Sequence, residues 1–515
     1  MIYNNSLYLR GTKTIRMNSI ATLIFPISLL ISNLSYSQTQ GIAYPAVGKG
    51  VATTFVTDYH CLGINNSALG WGTGYDKKRF TTGSTEFNLG FYSDSLNSDK
   101  LKQLYTAIRK DAKDDTSDPA DWEAQRQYAI EYMNSGLSMD FNFNWLGFAF
   151  QTEGFGGIAF SVTENYSWFS RLSENTTDLL FSGRTSSYFD SLTVAFGTDT
   201  STIYNSGTLS NDTLAAVISG TASVPLGISD LTNGSEIRFA WNRHYNFGYG
   251  RKIFGQDSTF ALYGGIGGRF IQSMAMFNLE SNGTDFYIYS SFNPNYEIDY
   301  GAAAAGNISN FTETSAIPKP VGSGFGLDLS ASAILFGKLK IAAAVNNIGS
   351  VTYTRNVYSV QDTLVTTMSL AGMENYNLTN SVHNFLDEGG LLELVGEEDY
   401  KVKNAATFRL GASLELGTMA RIGVDIVGPF DSDNPGSLAN PVISVGGDFS
   451  PIGWLRISAG YLGGGIYQHN IPIGINFILG GGSYEFGISS RDALTFFVDG
   501  SNSISTAFGF ARVRF

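Results

Sequence analysis

From Phe408 to its C-terminus the chain alternates apolar and polar residues with a period of two. Phe408, Leu410, Ala412, Leu414 and Leu416 alternate with Arg409, Gly411, Ser413 and Glu415. Ala420, Ile422, Val424 and Ile426 alternate in the same way with Arg421, Gly423 and Asp425. The pattern recurs around Ile443 to Phe449, Leu455 to Tyr461, Ile473 to Leu479 and Tyr484 to Ile488. In the last strand, strict alternation sets Ala507, Gly509, Ala511, Val513 and Phe515 against Phe508, Phe510, Arg512 and Arg514. A period of two means strands with one apolar and one polar face. In a soluble sandwich the apolar face meets a second sheet; in a membrane barrel it meets lipid. Link length decides between them. The links at 417–418, 450–453 and 480–482 are short, and those at 428–440, 463–470 and 498–503 are longer. Counted back from a periplasmic C-terminus, every short link falls inside and every longer one outside. Outer-membrane barrels have this asymmetry, and a sandwich has no reason to.

The bulk numbers agree. Mean hydropathy is −0.02, and the region after the N-terminal segment has no apolar run of about 18 residues, the minimum for a spanning helix. Only a barrel crosses a bilayer on so weak an average, because alternate residues alone face lipid. Glycine reaches 59 residues and aromatics 14%, while charged residues are only 15% of the 515. The net charge of −13 excludes a nucleic-acid partner, which needs a basic face. One cysteine, Cys61, rules out an intrachain disulfide.

Upstream the same signals continue. Phe325 to Leu335 and Leu339 to Val345 form a hairpin around Gly337, Ile237 to Phe247 a strand, and Met139 to Phe150 with Ile158 to Val162 a further pair. Phe87, Leu89 and Phe91 mark the first strand. The fold class is all-β, a transmembrane antiparallel barrel of about 14 strands, an even number as single-chain bacterial barrels require. The barrel is expected over 84–515, with extracellular insertions at about 94–136, 167–233 and 350–404. The first insertion reads as helical (Leu101, Leu104, Ile108, then Trp122 to Met133), the second is rich in Ser, Thr, Asn and Asp, and the third holds a short helix around Val382 to Leu386. Trp145, Trp241, Trp454, Tyr461 and Tyr484 are candidates for interfacial aromatic girdles.

Residues 1–37 read as an export signal: Arg10, Lys13 and Arg16, then the apolar run Ile20 to Ile31, then Ser35-Tyr36-Ser37 before Gln38. Its removal would make the remaining chain three charges more negative. The expected location is the cell outer membrane. The expected partners are membrane lipids and the barrel-assembly machinery, with Phe515 as the C-terminal assembly signal.

On this register thirteen charged residues point into the lumen: Arg238, Arg269, Asp328, Lys340, Arg409, Glu415, Arg421, Asp425, Asp448, Arg456, Glu485, Arg512 and Arg514. Adjacent strands set Arg409 and Glu415 beside Arg421 and Asp425. Such a lining either braces the barrel and holds a plug, or forms a selectivity lining or a ligand headgroup site. Catalytic and metal signatures are missing. The four histidines, His60, His244, His383 and His469, are scattered. Asp431 to Gly436 fails as a calcium loop because Pro435 and Val442 hold ligand positions. Neither a nucleophile elbow nor a phosphate-binding loop occurs. We expect no metal, no cofactor and no enzyme.

Residues 48–70 read G-K-G-V-A-T-T-F-V-T-D-Y-H-C-L-G-I-N-N-S-A-L-G. They resemble the N-terminal signature of the long-chain fatty-acid transporter (FadL-like) superfamily, with Gly48, Gly50, Asp58, Asn65, Ala68 and Leu69 matching it. Asn66-Ser67 stands where that family has Pro and a small residue. The pieces at 57–65, G-Y-G-R-K-I at 248–253, N-N-I-G at 346–349, F-R-L-G-A-S-L at 408–414 and F-G-F-A-R-V-R-F at 508–515 resemble a Bacteroidetes-type barrel family without assigned function. The resemblance implies a plug or hatch-like segment at 38–83, with Asp58 and Asn65 as ligand or gate candidates. It leaves two functions open. One is binding or transport of a hydrophobic or amphipathic small molecule. The other is a structural barrel that docks a surface or secretion-associated protein.

Overall fold

A computed structural model describes residues 43–75, 77–96, 127, 130–283, 285–372, 386, 392–465, 467–493 and 502–515. The export signal lies outside these residues, as do most of the helices expected within 94–136 and around Val382 to Leu386; residues 130–135 are helical. Fourteen strands form the wall. They are β1 (Phe80–Ser93), β2 (Leu137–Thr152), β3 (Gly156–Arg171), β4 (Ser235–Gln256), β5 (Phe260–Ser281), β6 (Gly322–Leu335) and β7 (Leu339–Tyr353). Then come β8 (Thr407–Leu416), β9 (Ala420–Pro429), β10 (Val442–Ile452), β11 (Leu455–Gly464), β12 (Ile473–Leu479), β13 (Tyr484–Ser490) and β14 (Ser503–Arg514). Each pairs antiparallel with the next, and β14 pairs with β1, so the sheet is closed and has no edge to protect.

The two faces divide as alternation demands. Outward positions carry a continuous apolar exposed belt, including Leu410, Leu414, Ile422, Val424, Ile443, Val445, Ile457, Ile473, Ile488, Phe325, Leu327 and Ile341. Inward positions such as Arg409, Ser413, Asp425, Ser444 and Asp448 are buried. No water-soluble fold tolerates an apolar belt of this extent, so the exterior fits a hydrocarbon environment. Of the girdle candidates, Trp145, Trp454 and Tyr461 are exposed on this surface, and Trp241 stacks on Tyr166 at 5.0 Å.

The wall is not uniform. On β8 to β9 the register runs without a break. On three neighbouring strands, β14, β1 and β2, the phase slips by one residue at a common level. Gly83 and Glu86 pair with Gly147 and Asn144 on one side and with Arg512 and Gly509 on the other. The flanking strands β13 and β3 span the same stretch with one residue fewer. The extra residues sit at Ser84-Thr85, Trp145-Leu146 and Phe510-Ala511. Thr85 has a positive φ of 55°, a conformation that a β-branched residue rarely adopts. These are β-bulges, each of which swaps the inward and outward faces beyond it. The last strand therefore departs from strict alternation. Ala507, Gly509, Arg512 and Arg514 are buried, Phe510 and Phe515 are exposed, and Val513 faces outward with them.

The connections at one end of the barrel are tight turns, and those at the other are long. The long-loop end carries a folded cap. Helix α1 (Glu174–Ser182) is capped by Ser173, whose hydroxyl accepts from the Thr176 amide, and it ends at Gly183 with φ 52°. A four-stranded sheet follows, in the order Leu364–Met368, Val217–Gly227, Ser191–Phe196, Asp199–Tyr204. Leu179, Phe181, Phe189, Leu192 and Val217 of the cap share one core with Trp168, Ile237, Phe277 and Leu279 of the wall. Each such fully buried side chain contributes about 1.5–3 kcal/mol. The polar composition of 167–233 conceals this core, because the cap buries only one side of each element.

Candidate functional site

Residues 43–75 run through the barrel interior. They form a short helix, Tyr44–Val47, with Pro45 in its first turn, and two 3-10 turns, Asp58–Cys61 and Asn66–Trp71. Most are fully buried. The wall makes room for them with glycines. A side-chain carbon at Gly83 or Gly147 would collide with the Tyr59 ring, at Gly509 with Tyr44, at Gly446 or Gly460 with the Lys49 backbone, and at Gly250 or Gly265 with the Asn66 backbone. Much of the chain's glycine excess is thus explained by close approach of backbone and ring to wall.

Polar contacts hold the segment. Asp58 accepts from the Arg512 guanidinium at 2.5 Å and lies 3.8 Å from that of Arg514. Both arginines also bind Glu485, Arg514 at 2.6 Å and Arg512 at 3.1 Å. All four side chains are buried, so removing one member leaves uncompensated charge at a cost of about 3–5 kcal/mol. Beside this hub, Glu86 accepts from the Tyr59 hydroxyl at 2.7 Å and the Asn144 amide at 2.9 Å, and it lies 3.0 Å from His60 Nε2. Glu86, Asn144 and Arg512 flank the three bulges, so the break in phase aims these groups at the segment. On the opposite wall Asp425 accepts from the amides of Ala52 at 2.6 Å and Thr53 at 2.8 Å. Asp448 binds the Lys49 ammonium at 2.6 Å. Asn346 donates to the Ile64 carbonyl, and Gln151 to that of Leu69.

All thirteen charged residues singled out in the sequence lie on inward faces. Arg512, Arg514, Asp425, Asp448 and Glu485 converge on the segment or its direct partners. Arg269 binds Asp328 at 2.8 Å and packs against Gly63. Arg409 borders the chamber above the segment. Arg238 is apart, tied to Glu236 and Glu280 and to the Ser432 carbonyl. The expected pairing of Arg409 and Glu415 with Arg421 and Asp425 is altered. Glu415 sits opposite Arg421 in register, yet its ion pair is with Lys340 at 3.3 Å, while Arg421 reaches Asp448 at 3.5 Å. Asn65 makes its hydrogen bonds within the segment. It donates to the Thr53 carbonyl and accepts from the Ser67 hydroxyl, shaping the segment from within. Phe515 stacks on Phe80 at the seam, and its carbonyl accepts from the Phe80 amide. Sequence reasoning did not single out Lys49, Tyr59 or Glu86. The alternation that puts Phe87 outward already places Glu86 inward, so that signal was available.

The segment divides the interior into two chambers. The one toward the long loops measures about 180 Å³. It is lined by amide and hydroxyl groups of Asn144, Thr163, Asn165, Asn242, Asn246 and Asn404, with His244, Leu62, Ile64, Val351 and Tyr353. The one toward the tight turns measures about 490 Å³, and its lining includes six cations and the rings of Phe55, Trp71 and Tyr75. Among the described residues, no group of three or more His, Cys, Asp or Glu is placed to hold a metal ion.

Residues 79–487 match a family of unknown function, DUF5723. No curated protein matches the chain. Among solved structures, the Ralstonia pickettii toluene transporter TbuX is similar at 11% identity and a TM-score of 0.42, over 93% of this chain and 99% of that one. The Pseudomonas putida toluene transporter TodX is similar at 9% and 0.38, over 93% and 99%. A Pseudomonas aeruginosa FadL homologue is similar at 9% and 0.35, over 93% and 98%. At these levels no residue's role carries across.

Proposed function

The chain belongs to this family of unknown function, and from that premise we propose that it is an outer-membrane barrel that binds or passes a hydrophobic or amphipathic small molecule, with residues 43–75 as the gate. In this reading the tight turns face the periplasm and the cap faces outward. The observation that carries it is the division of the lumen: a segment held by ion pairs and hydrogen bonds separates two chambers. Contacts of this polar kind are reversible, and water can replace them when the segment shifts. The upper chamber offers an amphipathic ligand both apolar contacts, from Leu62, Ile64, Val351 and Tyr353, and amide groups. Nothing among the described residues or in the comparisons supports the docking alternative.

The test is mass spectrometry of the barrel purified from its own membrane in mild detergent. It is paired with planar-bilayer conductance of the wild type and of Asp58→Ala. The proposal expects a near-stoichiometric lipid or hydrophobic metabolite, a low wild-type conductance and a raised one in the variant. A stoichiometric protein partner, no small molecule and identical conductances would overturn it.

A further inference from the structure

The chamber toward the tight turns holds more positive charge than the carboxylates around it neutralise. Six cations line it: Lys49, Lys340, Arg421, Arg456, Arg512 and Arg514. Four carboxylates lie within ion-pair reach of them: Asp448, Glu485, Asp58 and Glu415. Among the described residues the excess is two positive charges, in a chain whose net charge is −13. The excess has a place. Lys49 takes Asp448 at 2.6 Å, which leaves Arg421 at 3.5 Å from the same carboxylate. Arg514 and Arg512 take Glu485 at 2.6 and 3.1 Å, which leaves Arg456 at 3.7 Å. Arg421 adds a long hydrogen bond to the Phe55 carbonyl, and Tyr75 lines the chamber together with Arg456. Arg421 and Arg456 are also the more accessible members, with side chains 21% and 25% exposed, against 2–6% for Lys49, Arg512 and Arg514. Asp448 feels both, one on each side of its own strand. Aromatic faces complete the wall: Arg421 lies 4.2 Å from the Phe55 ring centroid, Lys340 4.9 Å from that of Trp71 and Arg514 4.8 Å from that of Tyr75.

We infer that this chamber binds a phosphate monoester carried on an apolar or aromatic body, with Arg421 and Arg456 as its anchoring residues. The charge selects the group. A phosphate monoester carries about −1.5 to −2 at neutral pH, which matches the excess, whereas a carboxylate brings only one. Guanidinium forks bind phosphate oxygens in pairs, and a site that already holds strong cations close together gains most from a dianion. The rings of Phe55 and Tyr75 offer the ester's organic part a flat contact. The volume, about 490 Å³, suits a small organic ligand. The site lies on the other side of the segment from the amide-lined chamber, so it stands whether or not that chamber takes a ligand.

Two sources share this chemistry, a free phosphate ester and a lipid headgroup. The full-length barrel in detergent is titrated with phenyl phosphate by calorimetry. The same barrel in nanodiscs with and without phosphatidic acid is examined by native mass spectrometry. Arg421→Gln and Arg456→Gln should each weaken binding about tenfold, the loss of roughly one charge-assisted contact. Asp448→Asn removes the competing carboxylate and should tighten it, an outcome no misfolded variant can give. Arg251→Gln, on the outer surface, should leave it unchanged. Phenyl phosphate binding that follows this pattern assigns a free ester. Retention of phosphatidic acid alone with this pattern assigns a headgroup. Absence of both, or binding indifferent to Arg421, Arg456 and Asp448, overturns the inference.

Discussion

The strands β8 and β9 and the seam β14-β1-β2 are built from similar residues, yet they handle alternation in opposite ways. The first pair keeps perfect phase, so every second residue faces lipid and the register has no break. The seam inserts one extra residue into each of three strands at one level. Regular phase is enough to span a membrane. Broken phase lets one strand present Phe510 to lipid and, two residues on, Arg512 to the lumen. The seam is where the inner segment meets its densest polar contacts, through Asp58, Tyr59, His60 and their partners. Regularity thus serves the wall, and its interruption serves what the wall encloses.

The largest effect should come from removing the interruption. Deleting Thr85 keeps Glu86 and Asn88 inward and Phe87 outward, but leaves β1 one residue short of β2 and β14, which retain their extra residue. Its pairing with both neighbours must then slip by one and set inward residues opposite outward ones. We expect no assembled barrel, read as loss of the heat-modifiable band in gel electrophoresis. Arg512→Ala comes next. It leaves Asp58 and Glu485 short of a buried cation and should cost about 3–5 kcal/mol. Ser413→Ala, inward on the regular wall, should cost less than about 1.5 kcal/mol. Denaturant unfolding of both variants checks the contrast. Third, Val424→Arg on the lipid face of β9 should cost about 2–4 kcal/mol in lipid vesicles, the depth-dependent value for a charge near the midplane.

The smallest effect lies outside both regions, in the cap. Burial pushes the Asp178 carboxyl up, but hydrogen bonds from Ser182, Ser187 and Ser186 outweigh it and hold the group below its ordinary value. A carboxyl depressed in the folded state contributes stability that is present above the ordinary carboxylate range and is lost as pH falls through the depressed value. Limited proteolysis should therefore open the cap at strongly acid pH while both wall regions stay protected. Asp178→Asn should flatten that dependence. Equal cleavage of cap and wall at every pH would remove the distinction.

The regular wall was legible in the sequence because nothing local competes with a period of two. Arg409, Glu415, Arg421 and Asp425 fell on the correct face for that reason. The last strand was only half legible. Strict alternation groups Phe508 and Phe510 with Arg512 and Arg514, and the pattern does not locate the bulge that separates them. Asp58 came through a resemblance, and the arginines through alternation. Their meeting could come from neither, since Asp58 and Arg512 are 454 residues apart. Asn65 shows the converse: its type and position suggested a gate contact, but its bonds are local. The cap stayed hidden because hydroxyl-rich strands with single buried faces, such as Leu192 and Val194, average out as polar loop.

The distance between Asp58 and its arginines has a consequence for how the molecule is made. Asp58 sits ahead of the first strand, and Arg512 and Arg514 sit on the last. Asp58 is hydrated in the unfolded chain and meets its cations only when β14 pairs with β1 and the ring shuts. A chain cut short of β14 would have to enclose a bare carboxylate or leave its N-terminal segment outside. The hub therefore ties the segment ahead of the first strand to the strand that closes the ring.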